Sequence, residues 1–162
     1  MSDLHLNIQQ KIVSRDFFKE NDFKLHQQKI VFTNGCFDVL HFGHVHYLLE
    51  AKKLGDILVV GLNSDDSVRR LKGPTRPING EKERAFVLAS LAFVDYITLF
   101  EEDTPGNLIK VVQPDVLVKG GDYTIEQIVG ADFVMQNGGT VTTIPFVEGY
   151  SSTQIIEQLK TI

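Results

Sequence analysis

A single cysteine, Cys36, stands in 162 residues, so no internal disulfide can form. A chain with one cysteine and no visible export signal fits a reducing compartment. No apolar run approaches the roughly 18 residues that cross a bilayer. The segment from Met1 to Gln10 is polar and lacks the apolar stretch of a secretory signal. A cytoplasmic location without a membrane partner is expected. Positive charge is also in short supply: 16 Lys and Arg face 21 Asp and Glu, for a net charge of −5. That balance argues against nucleic acid as a partner. Internal repeats and low-complexity segments are absent. With 43% hydrophobic and 23% charged residues, the chain reads as one globular domain, long enough to bury a single core.

What is present alternates regularly. Apolar, β-rich stretches occur at Lys29–Thr33, Asp56–Leu62, Asp95–Phe100, Asp115–Lys119 and Thr140–Pro145. Their near-continuous hydrophobicity suits strands covered on both faces. Between them lie helical patterns: His44–Leu54 with Gly55 as a closing residue, Glu81–Leu91, a helix opened by Thr104 as N-cap and Pro105 at N1, Ala131–Asn137 and Ser151–Lys160. The expected fold is α/β: a Rossmann-like, doubly wound, five-stranded parallel sheet with helices on both faces. Residues 1–28 are read as an N-terminal helical extension and residues 29–162 as the α/β domain. In such sheets ligands bind beyond the carboxyl ends of the strands, which singles out the loops beginning at Asn34, Asn63, Glu101, Gly120 and Phe146.

The first of these loops carries His41-Phe42-Gly43-His44. Gly35 permits a tight turn, and Gly43 brings the chain into the next helix without a side chain at the ligand surface. Two histidines then flank a helix start, where backbone N–H groups and the dipole favour anions. Neither a Walker loop nor a Gly-x-Gly-x-x-Gly fingerprint is present. A zinc site built on His41, His44 and His46 is disfavoured, because on a helix His44 and His46 point roughly 200° apart. Cys36 lacks a partner that would activate it as a nucleophile and reads better as a small residue lining a phosphate loop. In the last loop, Tyr150-Ser151-Ser152-Thr153 opens the final helix. It reads both as a capping box, Ser151 with Gln154, and as a second phosphate cradle. Lys119-Gly120-Gly121-Asp122-Tyr123 places backbone N–H groups and a cation after the fourth strand. Six basic residues (Arg69, Arg70, Lys72, Arg76, Lys82, Arg84) face two acids, Glu81 and Glu83, in the stretch between Arg69 and Arg84. They read either as a solvated helix face or, from Arg69 to Pro77, as a mobile lid that delivers Lys72 or Arg76.

His41-x-Gly43-His44 and Ser151-Ser152-Thr153-Gln154-Ile155-Ile156 resemble the two phosphate motifs of the cytidylyltransferase-like nucleotidyltransferase superfamily. Within it, the stretches Phe32–Asp38, Gly61–Asp65, Arg70–Pro74 with Arg76-Pro77, Phe100–Pro105, Val118–Tyr123 and Pro145–Ser151 are similar to the adenylyltransferase module of ADP-heptose synthesis enzymes. The resemblance implies a nucleotidyltransferase domain over residues 29–162. That domain would transfer AMP from ATP to D-glycero-β-D-manno-heptose 1-phosphate, releasing ADP-heptose and pyrophosphate for lipopolysaccharide or related glycan synthesis. It implies His41, His44 and Lys72 as catalytic residues. It places Thr33, Gly35, Cys36, Phe37, Asp38, Lys119, Gly120, Asp122, Tyr150, Ser151, Ser152 and Thr153, with the two histidines, around the nucleotide. Asn63, Asp65, Lys72 and Arg76 fall on the acceptor side. Mg²⁺ would bridge the phosphates with no dedicated protein ligands, a homo-oligomer is expected, and a separate heptose kinase would supply the acceptor. Residue chemistry alone leaves open a cytidylyltransferase acting on glycerol 3-phosphate or a similar alcohol phosphate, and a non-catalytic nucleotide-binding domain.

Overall fold

A computed structural model describes residues 3–21, 27–121 and 123–159. Its centre is a sheet of five parallel strands: β1 (Ile30–Gly35), β2 (Ile57–Asn63), β3 (Tyr96–Phe100), β4 (Val116–Gly120) and β5 (Thr140–Ile144), in the order β3-β2-β1-β4-β5. This is the doubly wound α/β fold expected from the sequence. The helices are α1 (Asp3–Gln9), α2 (Phe17–Glu20), α3 (Phe42–Lys52), α4 (Asp65–Lys72), α5 (Glu81–Ala89), α6 (Gly106–Val112), α7 (Ala131–Gln136) and α8 (Ser152–Leu159), with a 3₁₀ turn at Ile125–Gln127. Side-chain alternation along the strands builds a core on each face. Val31, Leu58, Val60, Leu62 and Val118 pack with Leu48, Ala51, Leu88 and Ala89 on one side. Ile30, Phe32, Ile57, Val59 and Leu117 pack with Leu108, Ile109, Val112 and Val134 on the other. Each fully buried Val, Leu, Ile or Phe side chain contributes about 1.5–3 kcal/mol.

The strand order reverses between β1 and β4, and there the pairing is short: Val31 opposite Val116 and Phe32 opposite Leu117. Past these pairs a side chain bridges the two strands. The buried Tyr47 hydroxyl shares a 2.6 Å hydrogen bond with Thr33 Oγ1 and donates to the Val118 carbonyl at 3.3 Å. The sheet therefore opens above Tyr47, at the carboxyl ends of the strands, where ligands of this fold bind.

Three local expectations need correction. Helix α3 starts at Phe42, two residues earlier than its apolar pattern suggests, and closes at Lys53 in right-handed geometry. Gly55 is instead a close-packing residue, because a Cβ there would lie 2.6 Å from the Lys29 carbonyl oxygen. Pro105 occupies the cap position of α6 rather than its first turn, and Gly106 begins the helix. The basic stretch after β2 is helical as far as Lys72. Ser64 caps α4 by accepting a hydrogen bond from the Ser67 N–H, and Asp65 and Asp66 in its first turn complement the dipole.

The N-terminal segment runs along the outer edge of β3. The Val13 N–H donates to the Ile97 carbonyl and the Ile97 N–H to the Lys11 carbonyl, both at 2.8 Å. Lys11 Nζ donates to the Leu91 and Val94 carbonyls, and Phe18 enters the second core. Phe23 and Leu25, read from sequence as apolar positions of this segment, lie outside the described residues.

Candidate active site

Above the break between β1 and β4 lies a cavity of about 730 Å³, lined by the loops that follow all five strands. Its floor is the first loop. Phe37 adopts a left-handed backbone conformation, φ 44°, which costs of order 1–3 kcal/mol in a non-glycine residue. Burial of its ring beside His44, with centroids 5.2 Å apart, offsets that cost. His41 then caps α3 in extended geometry, and its ring stacks on His44 with centroids 3.8 Å apart and planes 22° apart. Gly43 makes the stack possible, since a Cβ there would come within 3.1 Å of the His41 ring and 3.0 Å of Tyr150.

Burial lowers both imidazoles below their ordinary range, and His44 falls to about 4 with the nearby His41 and Lys72 adding to the effect. Both rings are therefore neutral at pH 7. The Nδ1 atoms of both are buried without a hydrogen-bond partner, although buried polar atoms normally have one. His46 Nδ1, outside the cavity, is buried and unpartnered in the same way, so what suits the oxygens of a phosphate chain is the placement of the stacked rings in the lining beside a helix N-terminus. The opening of α8 lies across the cavity, with Tyr150, Ser151, Ser152 and Thr153 in the lining. Ser152 Oγ donates to the Val39 carbonyl at 3.1 Å, which ties this second cradle to the first loop. Lys119 reaches over from β4, its Nζ 3.2 Å from Asn34 Oδ1, and burial lowers its pKa. Lys72, at the end of α4, lines the cavity as well.

The cavity thus gathers Gly35, Cys36, Phe37, Asp38, His41, His44, Asn63, Lys72, Lys119, Gly120 and Tyr150 through Thr153 from the sequence-derived set. Asp122 lies outside the described residues. Cys36 is held in its thiol form by burial, against the pull of the Lys72 and Arg84 charges, in keeping with a lining residue rather than a nucleophile.

Four residues do other work than the sequence suggested. Thr33 is fully buried and supports Tyr47 from beneath the floor. Asp38 touches the cavity, but its carboxylate is engaged elsewhere. It accepts from Arg76 Nε at 2.5 Å and from the Ile78 and Asn79 N–H groups at 2.7 and 3.0 Å, while Asn79 Nδ2 donates to the Asp38 carbonyl. Burial opposes ionisation of Asp38, but these partners together hold its pKa below the ordinary carboxylate value. Arg76 is consequently a latch for the loop after α4 and stands outside the lining, so the lid expected there is fastened. Asp65 is also outside the lining, paired with Arg84 at 2.8 Å.

Sequence alone does not distinguish Arg84 from the rest of a basic patch. Its side chain is fully buried and donates to the Asn79, Cys36 and Asn63 carbonyls as well as to Asp65. It fastens three ligand-edge loops to one another. The signal was helical spacing, because Arg84 and Leu88 are four apart on the buried face of α5. Tyr47, likewise unnoticed, shares its buried helix face with Ala51 by the same spacing. Phe146 and Val147 after β5, and Asp103, Thr104 and Pro105 after β3, complete the walls. His46 leaves the cavity and packs its ring 5.8 Å from Phe42.

A doubly wound sheet that sets paired imidazoles and two helix N-termini around a crevice with lysines at its rim is built to receive a phosphate chain. A family model described as cytidylyltransferase-like matches residues 32–158. The chain is 60% identical over 135 residues to the bifunctional protein HldE of Helicobacter pylori (strain Shi470), covering 83% of this chain and 28% of that protein. It is 53% identical over 159 residues to the bifunctional protein HldE of Campylobacter concisus (strain 13826), covering 98% and 33%. The chain therefore spans about a third of the length of these curated relatives. Among solved structures, the lipopolysaccharide core biosynthesis protein from Thermoplasma volcanium superposes with a TM-score of 0.59 at 34% identity, over 76% of this chain and 99% of that one. A pantothenate synthetase from Thermus thermophilus, at 18% identity and a TM-score of 0.63, shares the fold over 93% of this chain and 70% of its own. The chain belongs to the cytidylyltransferase-like family.

Among the described residues, no helix is long and apolar enough to cross a membrane.

Proposed function

We propose that the chain transfers AMP from ATP to D-glycero-β-D-manno-heptose 1-phosphate, giving ADP-heptose and pyrophosphate. The observation that carries the phosphoryl chemistry is the stacked His41–His44 pair at the N-terminus of α3, lining one cavity with the start of α8. The similarity to bifunctional HldE proteins supports the sugar-phosphate acceptor.

The sheet order divides the cavity. Loops after β4 and β5 and the start of α8 lie on one side of β1, while loops after β2 and β3 and the end of α4 lie on the other. ATP takes the first side, with its base near Gly120 and Phe146 and its β- and γ-phosphates at Ser151, Ser152 and Thr153. Pyrophosphate leaves toward α8, so in-line displacement brings the acceptor from the side of Asn63, Lys72, Asp103 and Thr104. The acceptor phosphate is anionic at neutral pH and needs no base. One of its oxygens bonds to the α-phosphorus as the bond to the β-bridging oxygen breaks. Catalysis is then a matter of positioning and charge stabilisation. His44 serves the α-phosphate, His41 the β-phosphate, and Lys72 the charge spread over the reacting oxygens.

Mg²⁺ would be held here mainly by the nucleotide and water rather than by a protein cage. Of the described lining carboxylates, Asp38 is engaged by Arg76 and Asp103 by Arg70. When bound, the ion neutralises phosphate charge. A sugar kinase, a homo-oligomeric state and a cytoplasmic setting belong to the same proposal.

Pyrophosphate release is the test, with ATP or CTP paired with heptose 1-phosphate or glycerol 3-phosphate. Turnover confined to ATP with the heptose phosphate is expected. Turnover with CTP and glycerol 3-phosphate would overturn the substrates, and nucleotide binding without turnover would overturn the enzymatic reading.

A further inference from the structure

We propose that Arg15, outside the catalytic loops, is a positioning residue for the acceptor side of the cavity. This rests on the adenylyltransferase reading for the identity of the acceptor, while the geometry stands on its own. The loop after β3 supplies Asp103, Thr104 and Pro105 to the cavity wall. A loop of this kind, between a strand end and a short helix, has few backbone partners of its own and needs outside anchors to hold a wall in place.

It has two outside anchors: Arg70, which donates to the Glu101 carbonyl and to Asp103, and Arg15, which holds the carboxylate of Glu102, a residue that is not among those lining the cavity. Arg15 grips that carboxylate at two points, Nη1 to Oε1 at 2.7 Å and Nη2 to Oε2. Glu102 Oε2 also accepts from the Glu101 N–H at 3.1 Å, and the Glu102 carbonyl accepts from Ser67 Oγ at 3.2 Å. Ser67 Oγ in turn accepts from Asn63 Nδ2, itself on the acceptor side. The hydrogen bond from Arg15 is the largest cause of the drop in the Glu102 pKa to about 2, so the carboxylate is charged throughout the neutral range.

Arg15 is itself fixed rather than free-hanging. Residues immediately before it pair with β3 through Ile97, and Lys11 is tied to the Leu91 and Val94 carbonyls. After it, Phe17 and Phe18 pack on Tyr96 with ring centroids 4.9 and 6.2 Å away. The N-terminal segment therefore reads out along one strand and ends in a two-point clamp on the loop that walls the acceptor. Planar two-point geometry is a property of arginine that lysine reproduces only in charge.

Among the described residues Arg15 does not touch the nucleotide side directly, and its path there is a longer relay through Glu102, Ser67, Asn63 and Arg84 to the Cys36 carbonyl, so the acceptor wall responds first. In Arg15→Met the KM for heptose 1-phosphate should rise about fivefold, with kcat and the KM for ATP unchanged within about twofold. Arg15→Lys should recover part of the loss. Amide exchange in residues 101–105 should quicken while that in residues 35–41 stays as in the parent protein, and the thermal midpoint should confirm a folded variant. Equal movement of both KM values, no movement of either, or unaltered exchange in residues 101–105 would overturn the proposal. If the parent protein itself releases no pyrophosphate from ATP and heptose 1-phosphate, the proposed function falls. The clamp is then decided by the exchange rates alone.

Discussion

His44 is a ring kept neutral by burial in the lining of a cavity suited to phosphates. A phosphate chain arriving beside it favours the charged form and raises its pKa. Nucleotide binding near pH 6 should therefore take up a proton, visible as a buffer-dependent binding enthalpy for ATP. A binding enthalpy independent of buffer would mean that the phosphates do not reach His44. Loss of a group that acts mainly in the transition state typically costs 10²–10³ in rate. His44→Ala should accordingly lower kcat by about two to three orders of magnitude with a modest change in KM, and a fall below tenfold would remove its role. The histidines were legible in the sequence because His-x-Gly-His after a strand leaves few structural alternatives. The partners of Asp38 were not legible, because a carboxylate in a phosphate loop looks the same whether it faces a ligand or a loop forty residues away. Only the fold brings Ile78 and Asn79 onto it.

The elements around the cavity are held by buried ionic groups rather than by strand pairing. Arg84 donates to three carbonyls and one carboxylate from the buried face of α5. Replacing it with methionine keeps most of the volume but leaves three acceptors unsatisfied and Asp65 unpaired. Losses from buried groups of this type run to about 3–5 kcal/mol. Urea unfolding of Arg84→Met should show a drop of that size, whereas Lys82→Met on the exposed face of the same helix should change stability by about 0.5 kcal/mol or less. The five strands were legible because buried parallel strands announce themselves as apolar runs. Helix α4 was less so. Its arginines and lysine outnumber its apolar residues, and the stretch reads as a basic loop until Ser64 is recognised as its cap.

At the scale of the whole molecule, acid should weaken the fold in two stages. His44 has a folded pKa of about 4 against an ordinary value near 6.5. Its neutral, buried form favours the folded state, so its contribution is complete above pH 6.5 and is lost as pH falls toward 4. By linkage this is worth about 2–4 kcal/mol. Asp38 and Glu102, both lowered, contribute above the ordinary carboxyl range, and Glu102 loses its share as pH falls through 4.5 toward 2. Thermal melts of the ligand-free protein should show the midpoint declining from about pH 6.5. In His44→Asn that first stage should shrink to the share left by His41, whose pKa burial also lowers, and the second should be retained.

The strip from Lys11 to Val13 lies against the outer side of β3, and among the described residues β5 bounds the sheet at its other end. An uncovered strand border can pair with the border of another copy, and copies that pair at both borders can keep adding, as fibres do. Held at Ile97, the strip keeps that part of β3 from serving as such a border. The polar leader then has the character of a selvedge, the woven border that keeps a cloth from running.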